Sequence, residues 1–311
     1  MSALDEKKLE QNQKDPGKKK TGRSGSRRLV IQSIAALIQN ANLKGFFTGK
    51  IYTGTTKKVC VPGLNCYSCP GAVGACPIGS LQNFLGGLKF RFPYYVLGLL
   101  IFFGALLGRV VCGFLCPFGL LQDLLFMIPF YKKNRFKVDR FLRYLKYAVL
   151  LVLVIILPLC IPLTPTYCKY LCPSGTTAGL FLSFANSSLR RRLGKLFAWK
   201  AVVLGIVVVS SLIVYRPFCK YLCPLGAFYG FFNRFAIFRM HFDAEKCVHC
   251  QACVKACKMN VDPTKHPNSM ECIRCGDCVR ACPQSALEQG FGKGHSGKTK
   301  KEMSQNHTAE L

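Results

Sequence analysis

The sequence predicts an α-helical polytopic membrane domain followed by a small α+β domain at the C-terminus. Two observations lead to this fold class: 50% of the 311 residues are hydrophobic and gather in long runs, and the 19 cysteines recur at two fixed spacings. The predicted order is a disordered basic tail, the membrane domain, the cysteine-rich α+β domain and a second disordered tail. Their boundaries are 1–28, 29–239, 240–289 and 290–311.

Three apolar runs are long enough to cross a bilayer, because a hydrocarbon core of about 30 Å needs about 20 helical residues. They cover 92–108, 144–163 and 197–215. A fourth segment, 29–47, is interrupted by glutamine, asparagine and lysine, so it is either a fourth span or an amphipathic helix in the interface. We therefore expect three or four transmembrane helices and a multi-pass protein of the cytoplasmic (inner) membrane.

The basic residues indicate what the chain binds. The formal net charge is +29, and Lys and Arg lie in the N-terminal tail and between the apolar runs. Anionic lipid headgroups explain this distribution better than nucleic acid, which would need the charge on one soluble face. Membrane lipid is an expected partner and nucleic acid is not. The basic tail is expected in the cytoplasm, although the basic stretch 190–195 would then lie outside, against the positive-inside rule.

Each of the three runs is followed within a few residues by the octet C-x-x-x-C-P-x-G. The segment 60–79 ends in the same C-P-x-G and carries additional cysteines, so it is interpreted as a diverged copy. The octet cysteines are Cys112 and Cys116, Cys168 and Cys172, and Cys219 and Cys223, and those of the diverged copy are Cys60, Cys66, Cys69 and Cys76.

The octet spacing has a physical meaning. Cysteines at i and i+4 share one helical face, and the proline after the second cysteine suits the first position of a new helix. Free N–H groups and the positive end of the helix dipole then favour an anionic cluster at the second sulfur. A zinc site and buried structural thiols are alternative interpretations of the same spacing. Cys160, which belongs to no motif, is expected to be a buried apolar residue.

One octet supplies two thiolates whereas a 4Fe-4S cluster is commonly held by four, so two octets must cooperate. If each run crosses the bilayer once, the octets alternate between its two sides. The first site, on the side of the C-terminal domain, then combines Cys112, Cys116, Cys219 and Cys223, and the second combines Cys168 and Cys172 with two of Cys66, Cys69 and Cys76. The cations expected to offset cluster charge are Arg109, Arg216 and Lys220 at the first site and Lys169 at the second.

The C-terminal domain carries the run C-x2-C-x2-C-x3-C twice. In bacterial-type 2[4Fe-4S] ferredoxins, three cysteines of one run hold a cluster and the fourth binds the other cluster. The expected ligand sets are Cys247, Cys250, Cys253 and Cys282 for one cluster, and Cys272, Cys275, Cys278 and Cys257 for the other. Lys258 stands where the first run usually has proline, and zinc in both runs is the alternative.

With these motifs the chain resembles the NapH, MauN and NosR type of membrane-bound 4Fe-4S proteins, over about residues 29–288. The double run combined with "CGFLCP" and "CKYLCP" after apolar segments carries the resemblance. It implies a protein that passes electrons from quinol or cytoplasmic donors towards extracytoplasmic reductases or maturation systems. It also implies redox roles for Cys112, Cys116, Cys219 and Cys223. The third full octet, at Cys168, and the cysteine-rich first loop depart from the family pattern.

We therefore expect a membrane-bound iron-sulfur electron-transfer protein without substrate chemistry of its own. It would relay electrons between a cytoplasmic or quinol donor and a membrane or extracytoplasmic partner, with a donor ferredoxin or flavoprotein and an acceptor reductase as partners. Two clusters are expected in the cytoplasmic ferredoxin domain and one or two in the membrane domain. A quinol dehydrogenase or metal reductase with a bound quinone, and a redox-sensing or metallocentre-maturation accessory protein, are the alternatives. Asp123 is expected in water at the interface, or else as a proton acceptor beside a quinone.

Overall fold

The computed structural model describes residues 21–87, 93–132, 138–162, 164–185 and 194–292. Most of the two predicted tails, together with most of the basic stretch 190–195, lies outside the described residues. Within the described ranges the chain is helical apart from one two-stranded sheet near the C-terminus.

Helices of very different length build the membrane domain, and a π-helical turn, Val111–Leu115, precedes the fifth of them. In chain order the helices are α1 (Thr21–Gln39), α2 (Leu43–Thr48), α3 (Pro77–Leu85), α4 (Tyr94–Leu107), α5 (Pro117–Met127), α6 (Asp139–Cys160), α7 (Thr166–Tyr170), α8 (Pro173–Ala185), α9 (Lys195–Ile213), α10 (Pro217–Tyr221) and α11 (Pro224–Phe232). The C-terminal part contains β1 (Phe238–Phe242), α12 (Ala252–Ala256), α13 (Asp277–Ala281) and β2 (Leu287–Phe291).

Two of the described helices, α6 and α9, are long and apolar enough to cross a bilayer. Only 22% and 11% of their most apolar windows are buried, unlike a core helix of a soluble protein. Helix α4 is apolar but has 14 residues, and the segment 29–47 is divided between α1 and α2 by residues 40–42. The structure therefore supports two candidate spans, and the third and fourth crossings stay predictions.

Helix α1 has its polar side towards the protein and its apolar side outward. Gln32 and Gln39 are buried and donate to the backbone carbonyls of Cys116 (3.2 Å) and Leu115 (2.7 Å). The outward side exposes large apolar side chains, namely Val30, Ile31, Ile34, Leu37 and Ile38. An apolar surface facing outward is the pattern of a helix in contact with lipid.

The start of α1 corrects the boundary of the predicted N-terminal tail. The helix begins at Thr21, inside the predicted disordered segment 1–28, and Arg28 is buried. Arg28 donates to the carboxylate of Asp123 at 2.9 Å and to the hydroxyl of Tyr215 at 2.8 Å. These bonds hold the basic residue inside the folded domain. At the other end, β2 continues to Phe291, two residues beyond the predicted domain limit of 289.

The prolines of the octets begin helices, as the sequence predicts. Four short helices, α3, α5, α8 and α11, each start at the proline that directly follows a cysteine. At Cys223 the side chain accepts a hydrogen bond from the backbone N–H of Gly226, three residues into the new helix (3.4 Å). Each such cysteine therefore sits at the positive end of a helix dipole.

The C-terminal part is a small α+β unit. Strands β1 and β2 pair antiparallel, with Phe238 opposite Phe291 and Phe242 opposite Leu287. Helices α12 and α13 pack on each other, and Met240 and Leu287 form a small core with cysteines from both cysteine runs.

This unit docks on the membrane domain through buried charges. Glu271, 8% exposed, forms ion pairs with Arg109 (3.1 Å) and with Lys146 of α6. Asn233 accepts the backbone N–H of Arg109 at 3.2 Å, and its amide donates to the carbonyls of Ser269 (2.6 Å) and Cys272 (2.8 Å). Because these groups are buried, the orientation of the two parts depends on their mutual hydrogen bonds.

An apolar contact adds to this docking surface. Phe126 and Tyr215 of the membrane domain pack against Met259, Val261 and Ile273 of the C-terminal part. The aromatic pair has an edge-to-face geometry with ring centroids 5.3 Å apart.

We expect Glu271→Gln to loosen the C-terminal part, because it leaves two buried cations without a carboxylate. Removing one partner of a buried ion pair costs about 3 kcal/mol or more. Hydrogen-exchange protection of the 238–291 backbone should fall by a corresponding factor of about one hundred. Glu245→Gln is the matched control, since Glu245 is exposed. Equal protection in both variants would show that the ion pairs do not hold the docking surface.

Candidate iron-sulfur centres

A cavity of about 290 Å³ lies in the C-terminal part and brings together cysteines from both runs. One water molecule takes up about 30 Å³ in the liquid, so a cavity of about 290 Å³ has room for a group much larger than a single metal ion. The backbone N–H of Ala286 donates to the Cys282 sulfur at 3.3 Å, and Cys250 reaches the surface. The cysteines that line the cavity are Cys247, Cys250, Cys253 and Cys282. Four sulfurs around such a space fit a 4Fe-4S group, in the exchanged pattern that the sequence predicts.

The other four cysteines of the double run also lie together. Burial raises the pKa of the Cys278 thiol, and the nearby Cys272, Cys275 and Cys257 raise it further, so the four cysteines are neighbours. Backbone N–H groups point at two of them: Val261 donates to Cys257 and Arg274 donates to Cys272, both at 3.4 Å. Such donors stabilise the negative charge of thiolate ligands.

The loops of the two runs share an unusual backbone. His249 and Gln251 have φ of 52° and 57°, and Arg274 and Gly276, 25 positions further on in each case, have 52° and 78°. Left-handed residues turn successive N–H groups to one side, which forms an anion-binding concavity. The repeated conformation thus prepares both loops for negatively charged clusters.

The first site of the membrane domain is fully buried. Burial raises the pKa of the Cys223 thiol well above 9.0, and Cys219, Cys112 and Cys116 raise it further. The amide of Gln122 donates to the Cys219 sulfur at 3.2 Å. The structure therefore brings together the four octet cysteines that the sequence pairs.

Two arginines join the octets of this first site reciprocally. Arg109 precedes the first octet and donates to the carbonyl of Cys219 at 3.1 Å. Arg216 precedes the other octet and donates to the carbonyl of Cys112 at 2.6 Å. Both guanidinium groups have 0% exposure. Each octet is thus held by the arginine that leads into the other.

Asp123 does not lie in water, which corrects the expectation from the sequence. It is 3% exposed and accepts from Arg216 at 2.8 and 2.5 Å, and from Arg28 at 2.9 Å. The two guanidinium groups hold the pKa of this carboxyl below its usual range, although burial opposes them. A carboxylate paired in this way positions Arg216 and is not free to accept a proton.

The second site combines Cys168 and Cys172 with Cys66 and Cys76. Burial, and then the nearby Cys172, raise the pKa of the Cys66 thiol to about 11 and that of Cys76 to about 12. Both sulfurs approach the same point of α8: a Cβ at Gly175 would lie 3.8 Å from the Cys66 sulfur and 4.0 Å from that of Cys172. Of the three cysteines that the sequence offers, Cys66 and Cys76 therefore lie near Cys172, and they are the proposed partners of Cys168 and Cys172.

The remaining cysteines of the membrane domain lie elsewhere. The Cys69 sulfur is 3.9 Å from the side-chain oxygen of Asn40, and the Cys60 sulfur is 3.5 Å from the Ser80 hydroxyl. Cys160 is exposed at the end of α6, whereas the sequence predicts a buried residue. Its position on the outer face of a candidate span explains the difference, because an apolar side chain there meets lipid.

The cation beside the second site is Lys200, which the sequence analysis missed. Its ammonium group donates to the Cys168 carbonyl at 3.2 Å. The expected Lys169 lies instead over the ring of Tyr170, at 5.3 Å from the centroid. At the first site, Lys220 forms an ion pair with Asp139 at 2.5 Å. A lysine within an apolar span is the signal that could have identified Lys200, since such residues face a partner.

Cysteines of both membrane-domain sites belong to one hydrophobic core. Lys146 of α6 contacts the C-terminal part, whereas the carbonyl of Leu153 accepts from Thr166 (2.7 Å) and Gln82 (2.8 Å) near the second site. At about 1.5 Å per residue, Leu153 lies about 10 Å along α6 from Lys146. The second site is therefore farther along α6 than the contact with the C-terminal part.

Two tyrosines lie between these sites. Burial raises the pKa of Tyr167 well above 10.0, and the thiols of Cys172 and Cys223, one from each site, raise it further. Tyr229 interacts in the same way with Cys112, Cys116 and Cys76. Both side chains have 0% exposure.

Among the described residues, no group of three or more His, Cys, Asp or Glu side chains is spaced to hold a single metal ion.

Comparison with known proteins identifies two sequence families in the chain. The family described as "4Fe-4S binding domain" matches residues 74–95, 92–135, 145–195 and 196–243, about half of the chain. The family described as "4Fe-4S dicluster domain" matches residues 239–283. Each octet lies within one of the four repeated matches, and the double run begins and ends inside the fifth.

The curated relatives include proteins of the expected type. An uncharacterized protein of Methanocaldococcus jannaschii, MJ0749, is 29% identical over 62% of this chain and 69% of its own length. The methylamine utilization ferredoxin-type protein MauN of Methylobacillus flagellatus is 26% identical over 52% of this chain and 51% of its own. The regulatory protein NosR of Stutzerimonas stutzeri is 29% identical over 52% of this chain and 22% of its own. The expected resemblance is confirmed, and the chain spans about half of that MauN. No solved structure matches the chain.

We expect Cys66→Ser to lower the iron content by about four per chain, because one cluster loses a ligand. Cys69→Ser is the matched control three residues away and should leave the iron content unchanged. The measurement is iron and acid-labile sulfide in anaerobically purified full-length protein, with Mössbauer spectra to assign the loss. The reverse result would show that Cys69 is the ligand and that this loop is arranged differently.

We expect Cys257→Ala to damage the cluster held by Cys272, Cys275 and Cys278, because the fourth ligand of each run is exchanged. EPR of the reduced protein should show that this signal is lost or altered while the signal of the other ferredoxin-type cluster persists. Cys160→Ala, which removes an exposed cysteine outside all four groups, serves as the control. Selective loss of the cluster bound by Cys247, Cys250 and Cys253 would contradict the exchange.

Proposed function

We propose that this chain is a membrane-bound electron carrier with four 4Fe-4S clusters. The proposal starts from its family: the chain belongs to the 4Fe-4S binding domain family and is a MauN/NosR-type ferredoxin-like protein. It relays electrons between a redox protein that docks on the C-terminal domain and a second redox partner in the membrane or beyond it. The domain limits 29–239 and 240–289 are part of this proposal, with the adjustments at α1 and β2 given above.

The observation that carries the proposal is the arrangement of sixteen cysteines in four groups of four, each group next to another. The two groups of the double run share the small core of the C-terminal domain. Asn233 connects the group of Cys272 to the first membrane-domain site. Its amide donates to the Cys272 carbonyl, and its side-chain oxygen accepts the backbone N–H of Arg109. The Arg109 guanidinium in turn donates to the Cys219 carbonyl. The first and second membrane-domain sites share one core. Neighbouring groups in a row are what an electron relay needs.

Each group supplies what a bound cluster requires. A 4Fe-4S cluster, when bound, takes up and releases one electron at a time. The chain contributes four sulfurs to each group, backbone N–H donors at Cys223, Cys257, Cys272 and Cys282, and a buried surrounding at the first membrane-domain site. Burial and hydrogen bonds to sulfur are the means by which a protein sets the potential of such a centre.

The exposed end of the row is the site of Cys250. This cysteine reaches the surface, and Lys246 and Lys265 lie at the rim of the same cavity. A small electron carrier with an acidic face, such as a ferredoxin or flavoprotein, fits this surface by charge. An acceptor reductase would then exchange electrons at the opposite end, near Cys66.

The proposed membrane orientation rests on the basic residues near one end of the candidate span α6. The ferredoxin-side end of α6 carries Arg140 and Arg143, and Arg28 lies on the same side through its bond to Tyr215. Basic residues collect on the cytoplasmic side, so the proposal places the C-terminal domain in the cytoplasm of a cell with an inner membrane. Helix α1, with its apolar side outward, contributes further lipid contact.

The alternative functions are separated by one measurement each. Reduction of the purified protein by a quinol would favour a quinol dehydrogenase with a bound quinone. A deletion strain that fails to mature a partner enzyme but keeps its electron flow would favour an accessory or redox-sensing role.

We expect the double variant Cys112→Ser/Cys219→Ser to interrupt the relay at the first membrane-domain site. In proteoliposomes with the C-terminal domain outward, a membrane-impermeant reductant should reduce the ferredoxin-type clusters at the wild-type rate. Reduction of the second membrane-domain site, followed by freeze-quench EPR, should slow at least tenfold, because electron transfer then lacks an intermediate carrier. Iron content should fall from about sixteen to about twelve per chain.

Cys160→Ser is the control, since it changes a cysteine outside the four groups. An unaltered rate in the double variant would contradict a relay through this site. A wild-type protein with about eight irons, all in the C-terminal domain, would contradict clusters in the membrane domain altogether.

A further inference from the structure

Two wholly buried tyrosines between the membrane-domain sites differ in how their hydroxyl groups are satisfied. The Tyr229 hydroxyl donates to the backbone carbonyl of Pro62 at 3.0 Å. The Tyr167 hydroxyl is buried and has no hydrogen-bond partner among the described residues. Buried hydroxyl groups are nearly always paired, because burial without a partner is costly. The Tyr167 hydroxyl is thus a buried donor whose acceptor is still to be assigned.

The surroundings of Tyr167 show which kind of group that is. Tyr167 belongs to the buried core that also contains Cys76 and Cys172 of the second site and Cys223 of the first, and Cys168 packs against this core. Its backbone is fixed, because the N–H groups of Leu171 and Cys172 both donate to the Tyr167 carbonyl, at 2.9 and 3.0 Å. These bonds fix the backbone of Tyr167 in the turn that carries Cys168 and Cys172.

We propose that the Tyr167 hydroxyl donates a hydrogen bond to a sulfur of the cluster held by Cys66, Cys76, Cys168 and Cys172, and that Tyr167 is a positioning residue that raises the reduction potential of this cluster. The inference rests on the proposed function, because it requires a cluster at the second site. Hydrogen bonds to cluster and thiolate sulfurs stabilise the more negative, reduced state. The bond therefore favours electron flow from the first membrane-domain site to the second.

The primary test is Tyr167→Phe in the full-length protein, with Tyr229→Phe as the matched control. Both changes remove one hydroxyl from a buried ring, but only Tyr167 lacks a protein acceptor. In EPR-monitored redox titrations, Tyr167→Phe should lower the midpoint potential of the second-site cluster and leave the other clusters unchanged. Tyr229→Phe should leave all midpoint potentials unchanged. The absence of a shift in Tyr167→Phe, an equal shift in both variants, or a shift confined to the first site would overturn the inference.

A second variant keeps the test valid if Tyr167→Phe loses the cluster. Incorporation of 3-fluorotyrosine at position 167 keeps the shape and the hydroxyl but makes the phenol more acidic and hence a stronger donor. The midpoint potential of the second-site cluster should then rise, opposite to the effect of phenylalanine. An unchanged or lower potential would overturn the inference.

The two proposals fail in different ways. Iron analysis and Mössbauer spectra of the wild-type protein decide whether the second site holds a cluster. A second site without iron would overturn both the four-cluster relay and the role of Tyr167. An iron-loaded second site whose potential does not respond to either change at position 167 would overturn only the role of Tyr167.

Discussion

The reciprocal bonds of Arg109 and Arg216 hold together most of what surrounds the first membrane-domain site. Each guanidinium binds a cysteine carbonyl in the octet that it does not precede, and each also meets a carboxylate from another element. Through Asp123, Arg216 connects to Arg28 and so to α1; through Glu271, Arg109 connects to α6 and the C-terminal domain. Buried ion pairs add little net stability compared with apolar packing, but they penalise every arrangement in which a partner is missing. The register of the helices around the cysteines is therefore specified by charge, while the apolar core supplies the cohesion.

The cysteines themselves oppose this arrangement when they carry no metal. Burial and the proximity of other thiols raise the pKa of nearly every cysteine in the membrane-domain groups, so four thiolates in one group would repel each other. Cys172 is the exception: a hydrogen bond from Cys168, backbone N–H groups and Lys200 lower its pKa to about 7 although burial opposes them. Positive iron relieves the repulsion, and binding of metal to deprotonated ligands is then part of the folding free energy. The same logic explains why backbone donors and cations converge on groups that lie in an otherwise apolar interior.

The parts of the site that follow from local spacing could be predicted from the sequence. The helix starts at the octet prolines depend on features within a single octet, and these helices are α3, α5, α8 and α11. The proximity of two octets depends on their repeat along the chain, and it brings Cys112 and Cys116 close to Cys219 and Cys223. The choice of Cys66 over Cys69 could not be predicted, because it depends on how the loop 59–76 approaches α8. The contact of Lys200 with the second site and the ion pairs of Asp123 could not be predicted either, because their partners come from segments that are distant in sequence. Buried charges are paired through tertiary contacts, and a pattern of polar and apolar residues does not record which pairs form.

The C-terminal domain also closes the first membrane-domain site, and this has a consequence for biogenesis. A Cβ at Gly113 would lie 2.7 Å from the carbonyl oxygen of Ile273, so the glycine lets this late segment pack directly on the octet. The side chain of Arg109 reaches past it to the carbonyl of Met270 at 2.7 Å. Because Met270 and Ile273 follow all the octets in the chain, the contacts around the first membrane-domain site are complete only once the end of the chain has been synthesised and has packed on it.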